Sequence, residues 1–211
     1  MNRDELRKEI LPSLEKVIRF SLLNKLNLHS SIGGKYGELF VVNELWKHDP
    51  RIGHSRYDVK DIKNPASSDI CLERTRIRLE IKWAMLHHRE QDYFFKNARF
   101  PFWGWGFGMG NQFLKRKFDY CVLLAAKKDD AFPEHIFVVT CDELIKYMGK
   151  KRKSGVTTQP SFYIEYSECQ DFFYRRHWQT SGPSSIEKKM FCNSNVYRER
   201  WKELKTKGHL T

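Results

Sequence analysis

A chain of 211 residues, 40% apolar and 14% aromatic, has the material for one medium-sized packed core, which excludes a disordered polypeptide. Lys and Arg outnumber Asp and Glu by 38 to 26, giving a net charge of +12 and a pI of about 9.5; this balance favours a polyanionic partner, nucleic acid before an acidic membrane surface. Five cysteines (71, 121, 141, 169 and 192), odd in number and without a CxxC pair, read as free thiols of a reducing compartment and exclude a disulfide scaffold.

The first stretch, "MNRDELRKEI", is charged throughout and is no secretory signal. Residues 4–27 then read as a helix, because Leu6, Ile10, Leu14, Val17, Ile18 and Leu22 recur at helical spacing, with Pro12 as a kink or break. "SSIGGKYG" (30–37) reads as a glycine-rich break and "ELFVVNELW" (38–46) as a second, buried helix. A turn and a short strand near 56–62 follow, then strands over 69–73 and 76–83. Residues 84–97 are helical or irregular, "FPFWGWGFGMGN" (100–111) an aromatic and glycine loop, and "QFLKRK" (112–117) a short helix. Buried strands are expected at 118–126 and 135–140, and a helix over 141–153 that ends in a basic run. Near the C-terminus Tyr197, Trp201 and Leu204 lie at i, i+4 and i+7, with Gly208 as a helix stop. No apolar run approaches membrane length, and the His87-His88 pair lacks a zinc-spaced partner, so a soluble, cytoplasmic protein without a zinc site is expected. The order of elements predicts a mixed α/β (α+β) domain.

The stretch "SSDICLERTRIRLEIKWA" (67–84) carries the chemistry. With "RT" (74–75) at the tip of a hairpin, residues whose numbers sum to 149 face each other. Ile70 then meets Leu79 and Leu72 meets Ile77 on an apolar face, while Glu73 meets Arg76, Cys71 meets Arg78 and Asp69 meets Glu80 on the other. Opposed residues have Cβ atoms only about 4.5–5.5 Å apart, so two carboxylates there repel unless a cation lies between them. Hard oxygen ligands with an open, watered side suit Mg²⁺, to which the main-chain carbonyl of Ile81 would add an oxygen. Lys82, on the same face, would reach a water or phosphate oxygen at the metal, and Arg76 and Arg78 would hold a phosphate backbone. Glu38 shares its helical face with Val41, Val42 and Leu45; a carboxylate there is costly unless partnered, which leaves two readings, a metal-site acid or a charge near a helix N-terminus.

A helix with Glu38, a strand with Asp69 and a following strand with Glu80-Ile81-Lys82 resemble the PD-(D/E)xK nuclease superfamily, most of all its type II restriction endonucleases, over roughly residues 30–126. The resemblance implies a restriction-endonuclease-like core, a central mixed sheet flanked by helices, at about 30–140 of a single domain 1–211, with a C-terminal extension from about 141. It also implies Mg²⁺-dependent hydrolysis of double-stranded DNA, with Asp69 and Glu80 as metal ligands, Lys82 positioning or activating the attacking water, and Glu38 supporting the site. Pro65 departs from the pattern by standing four residues before Asp69. Cutting two strands with one site per chain predicts a homodimer. A junction resolvase or repair nuclease of the same core, and a non-catalytic DNA-binding protein, are the alternatives.

Further DNA contacts are expected from the aromatic loop, where Trp103 and Trp105 would stack on bases, unless they finish the core instead. Gln112 would read adenine or orient a phosphate, or act as a helix cap or surface residue. Lys115 and Lys117 of the "KRK" run would contact phosphates.

Overall fold

The computed structural model describes residues 3–24, 29–48, 69–72, 77–86, 101–107, 116–127, 130–148, 161–165, 173–177, 188–191 and 195–207. The expected strand near 56–62, most of 84–97 and residues 112–115 lie outside the described residues, as do Glu73, Arg76, Gln112, Lys115 and Gly208.

The N-terminal helix runs through one α-turn, α1 (Arg3–Glu5), a π turn (Leu6–Ile10) and α2 (Leu11–Leu23). Pro12 explains the π turn: it has no N–H to give and its ring crowds the preceding turn, so the ladder widens and the Leu11 N–H reaches back five residues to the Leu6 carbonyl. Leu6, Leu11 and Ile18 are buried along one side. The hydroxyl of buried Tyr36 donates to a Glu15 carboxylate oxygen (2.7 Å) and so ties α2 to the next helix.

That next helix, α3 (His29–His48), corrects the expected break at 30–37: the glycines lie inside a continuous helix. They are there because the helix lies directly on the sheet. A Cβ on Gly33 would stand 2.4 Å from Cε3 of Trp83, and one on Gly37 would stand 3.0 Å from Cδ1 of Leu124 and 3.6 Å from Cγ2 of Ile81. Gly34 meets nothing within 4 Å. Two adjacent glycines therefore make opposite predictions. Gly34→Ala should stabilise the protein by about 0.8–1 kcal/mol through helix propensity. Gly33→Ala should destabilise it by about 1–3 kcal/mol through overpacking against an indole. Urea denaturation of both variants checks the pair; equal shifts would reject the close helix–sheet approach.

The sheet under α3 is mixed, with β1 (Ile70–Leu72), β2 (Ile77–Met85), β4 (Tyr120–Ala126) and β5 (Pro133–Thr140) in the order β1-β2-β4-β5. β1 and β2 are antiparallel, β2 and β4 parallel, β4 and β5 antiparallel. Alternation sorts the residues of each strand. Leu79, Ile81, Val122, Leu124 and Val138 pack toward α2, α3 and α5 (Asn195–Lys207), which adds Trp201 and Leu204. Ala84, Cys121, Leu123, Ala125, Phe137 and Val139 pack on the other side.

That other side is covered by a second sheet, β3-β6-β7-β8, built from β3 (Phe102–Gly106), β6 (Ser161–Glu165), β7 (Phe173–His177) and β8 (Lys188–Phe191), all antiparallel. The expected loop at 100–111 thus contains a strand. Trp103 and Trp105, 0% and 1% exposed, point from it toward the first sheet, where their indole N–H groups donate to the carbonyls of Ala126 (2.7 Å) and Leu124 (3.1 Å). Side chains so enclosed cannot stack on bases, so their assignment as DNA contacts is corrected to a core role.

After β5, α4 (Cys141–Met148) starts at a capping box: the Glu143 N–H donates to the Thr140 hydroxyl and the Thr140 N–H to the Glu143 carboxylate. Arg200 of α5 donates to the same Glu143 (2.6 Å). The expected helix at 112–117 does not include Arg116, which adopts the left-handed conformation (φ 49°) in the approach to β4. The chain after residue 141 is no appendage, since Ile164, Tyr197, Trp201 and Leu204 are all core residues.

Candidate active site

The expected hairpin register is the observed one: Ile70 faces Leu79, Cys71 faces Arg78 and Leu72 faces Ile77. One step further out, Asp69 is fastened to β2 from both sides. Its N–H donates to the Leu79 carbonyl (3.0 Å), and its Oδ2 accepts the Ile81 N–H (2.7 Å). Asp69 and Glu80 are therefore brought together, and both are buried, 8% and 4% exposed.

Glu80 and Lys82 lie on the face of β2 that looks away from the helices, beside Cys121 and Leu123 of β4. Lys82 forms an ion pair with Glu80, and its ammonium stands 5.9 Å from the centroid of the Phe107 ring. The open side expected for this face is narrow, because Phe107 and Cys121 are buried walls and only Lys82 keeps substantial exposure.

Burial, then the facing Glu80 carboxylate and the Glu38 charge, push the Asp69 carboxyl from its ordinary 3.8 up to about 6, against the opposing pull of the Ile81 N–H and Lys82. Burial works against the Lys82 ammonium, but Glu80, Cys121 and Asp69 outweigh it, so the lysine stays charged at neutral pH. Burial pushes the Cys121 thiol well up, with Lys82 opposing. The site is two buried carboxylates and one partly exposed ammonium.

Glu38 lies well inside α3 and not near its first turn, which removes the helix-terminus reading. It is mostly buried, accepts a hydrogen bond from Lys35 Nζ (2.8 Å), and its charge is felt at Asp69. The glycine-permitted approach of α3 brings it there, since Glu38 directly follows Gly37.

Arg78 is corrected from phosphate contact to structural clamp. Its Nε and Nη2 donate to Asp119 Oδ2 (3.2 Å) and Oδ1 (2.9 Å), and its backbone N–H donates to Oδ2 as well (2.8 Å). The Asp119 N–H returns a bond to the Arg78 carbonyl (2.9 Å), so this pair fixes β4 against β2 two residues before Glu80. Lys117, half-buried, lies two residues before Asp119. Sequence reasoning missed Asp119 and the place of Cys121 in the site; Phe107, read as a candidate base-stacking residue, is instead a buried wall beside Lys82. Only Asp119 left a signal, as an acid at the mouth of an apolar strand.

Among the described residues no group of three or more His, Cys, Asp and Glu side chains could hold a metal ion, and no helix is long and apolar enough to cross a membrane. The oxygen set present is the Asp69 and Glu80 carboxylates, with the Glu38 charge acting on Asp69. Two hard carboxylates buried close together, the Asp69 carboxyl raised first by burial and then by the Glu80 charge, are the donor chemistry a hard cation takes. Compared with family models, curated proteins and solved structures, the chain matches none.

The Asp69 shift has a sign. A carboxyl whose folded pKa is raised contributes stability below its unfolded pKa, and that stability is lost as pH rises through about 6. In a chelator the melting temperature should fall between pH 4 and pH 7, by the equivalent of about 3 kcal/mol at most. Asp69→Asn keeps an acceptor for the Ile81 N–H and should flatten that slope. An unchanged slope would show that Asp69 is not the strained carboxyl.

Proposed function

We propose that the chain is a Mg²⁺-dependent endonuclease that hydrolyses phosphodiester bonds in double-stranded DNA, with a restriction-endonuclease-like core of the PD-(D/E)xK type and the behaviour of a type II restriction enzyme. The observation that carries this reading is the buried Asp69 and Glu80, Asp69 just before β1 and fastened to Ile81 of β2, with charged Lys82 two residues beyond Glu80. Asp69, Glu80 and the Ile81 carbonyl would hold the cation, and Glu38 would add to the negative field that draws it in. When bound, Mg²⁺ would supply charge neutralisation at the scissile phosphate. Lys82 would donate to the attacking water or to a phosphate oxygen, stabilising negative charge as the water oxygen bonds to phosphorus and one P–O ester bond breaks. Phe107 and Cys121, both buried, wall the ammonium on its inner side and lower the polarity there. Two copies related by a two-fold axis would cut both strands of a palindromic site.

Digestion of a plasmid of known sequence, with Mg²⁺ and with Ca²⁺ in its place, tests this. Discrete fragments in Mg²⁺ alone are expected. Uncut linear duplex beside cut four-way junctions would turn the reading to a resolvase, and no cutting of any DNA would leave a binding protein.

A further inference from the structure

The three acids of the candidate site each take a donor from the chain itself. Asp69 Oδ2 accepts the Ile81 N–H, Glu38 Oε2 accepts from the Lys35 ammonium, and Glu80 Oε1 accepts from the Lys82 ammonium. The three donors differ in freedom. The Ile81 N–H is main chain and fixed in β2, and Lys35 reaches Glu38 from the exposed side of α3. Lys82 reaches into the site to a carboxylate that is itself only 5% exposed.

Residues i and i+2 of a strand share a face about 6.6 Å apart, so the Lys82 stem must fold back along β2 to put its ammonium on Glu80. Buried side chains stand along that path. Cys121 and Leu123 of β4 are the register partners of Glu80 and Lys82, and the Phe107 ring lies 5.9 Å from the ammonium. These walls leave the ammonium two places, the Glu80 carboxylate and the open side, where 26% of the lysine side chain is exposed. A flexible four-carbon stem ending in a compact ammonium can pass between them.

A hard cation that takes the Glu80 carboxylate takes the group that the ammonium holds, and two positive charges beside one carboxylate repel each other. We propose that Lys82 and a divalent cation compete for Glu80, so that binding of the cation turns the ammonium out of its ion pair and toward the open side of the site. In its inward position Lys82 is the counter-ion that compensates a buried carboxylate. In its outward position it is free to meet a phosphate oxygen, so the cation and the lysine become available to a substrate together. This regulation rests on the cation-holding part of the proposed function and not on cleavage.

The test is Mn²⁺ binding to the full chain without DNA, followed by the electron paramagnetic resonance signal of the free ion. Lys82→Met and Lys82→Gln should each bind Mn²⁺ about 10–100-fold more tightly than the unaltered chain, the equivalent of one charge-assisted hydrogen bond that no longer has to be broken. Adding Asp69→Asn should remove the tight site from both. Lys35→Met takes an ammonium from Glu38 instead and should shift the affinity much less. In the unaltered chain, acetylation of Lys82 by acetic anhydride, read by peptide mass spectrometry, should quicken when Mn²⁺ is added; this arm needs no variant to fold. Unchanged or weaker Mn²⁺ binding in the folded Lys82 variants would overturn the competition, as would an equal gain in Lys35→Met, Lys82 labelling that Mn²⁺ slows or leaves alone, or a chain that binds no Mn²⁺. A chain that shows the exchange but never cuts DNA loses only the nuclease reading; one that cuts while its Mn²⁺ affinity ignores residue 82 loses only the competition.

Discussion

Replacing Lys82 by Met is expected to slow plasmid cleavage in Mg²⁺ by about 10²–10⁴-fold, the usual loss for one positioned electrostatic or proton-handling group. DNA affinity in Ca²⁺ should persist. The size of the effect follows from the setting: the ammonium is held by the Glu80 carboxylate beside the Phe107 ring, largely withdrawn from solvent. Met keeps the length of the stem and its packing against Phe107. Lys82→Arg should not restore the rate, because a planar fork does not fit a space shaped for a compact ammonium. Circular dichroism separates loss of chemistry from loss of fold. A folded Lys82→Met protein that cuts normally would move the reacting groups elsewhere.

Trp105→Ala is expected to cost about 3–5 kcal/mol of folding stability, and Trp103→Ala a similar amount, the range for truncating a buried aromatic. Both indoles are enclosed between the two sheets, beside Phe137 at ring distances of 6.3 Å, and each ties β3 to a β4 carbonyl. DNA affinity per folded molecule should be unchanged. Urea midpoints and duplex titrations on the same sample decide the matter, and a stable Trp105→Ala protein with weakened DNA binding would return these residues to the DNA face.

The hairpin was legible because its alternation left one register that put Ile70 and Leu79 on a common apolar face; Asp69, the residue before β1, came close to Glu80 with it. The C-terminal helix was legible for the same reason, since Tyr197, Trp201 and Leu204 follow a single period and are all buried. The glycines of α3 misled because glycine is a breaker only when nothing else fills its place; here the Trp83 ring does. β3 was hidden by composition. In "FWGWG" the residues do alternate, Trp toward the core and Gly away, but the partner strand begins at Ser161, and nothing local specifies a pairing so distant in the chain. Arg78 looked like a free cation on a polar face, because its acceptor is 41 residues further along the chain.

The β1–β2 hairpin closes over a handful of residues, whereas the parallel β2–β4 pair and its Arg78–Asp119 clasp require a far longer loop to be closed. Refolding is therefore expected to bring the two carboxylates together before Cys121 and Phe107 wall them in. In the early hairpin Asp69 is still a solvated acid; its proton affinity rises only when the crossover docks. At pH 5 that late step is expected to draw most of a proton from solution, so a pH-indicator dye in a stopped-flow refolding experiment would record the moment the site becomes enclosed, as distinct from the moment its residues first meet.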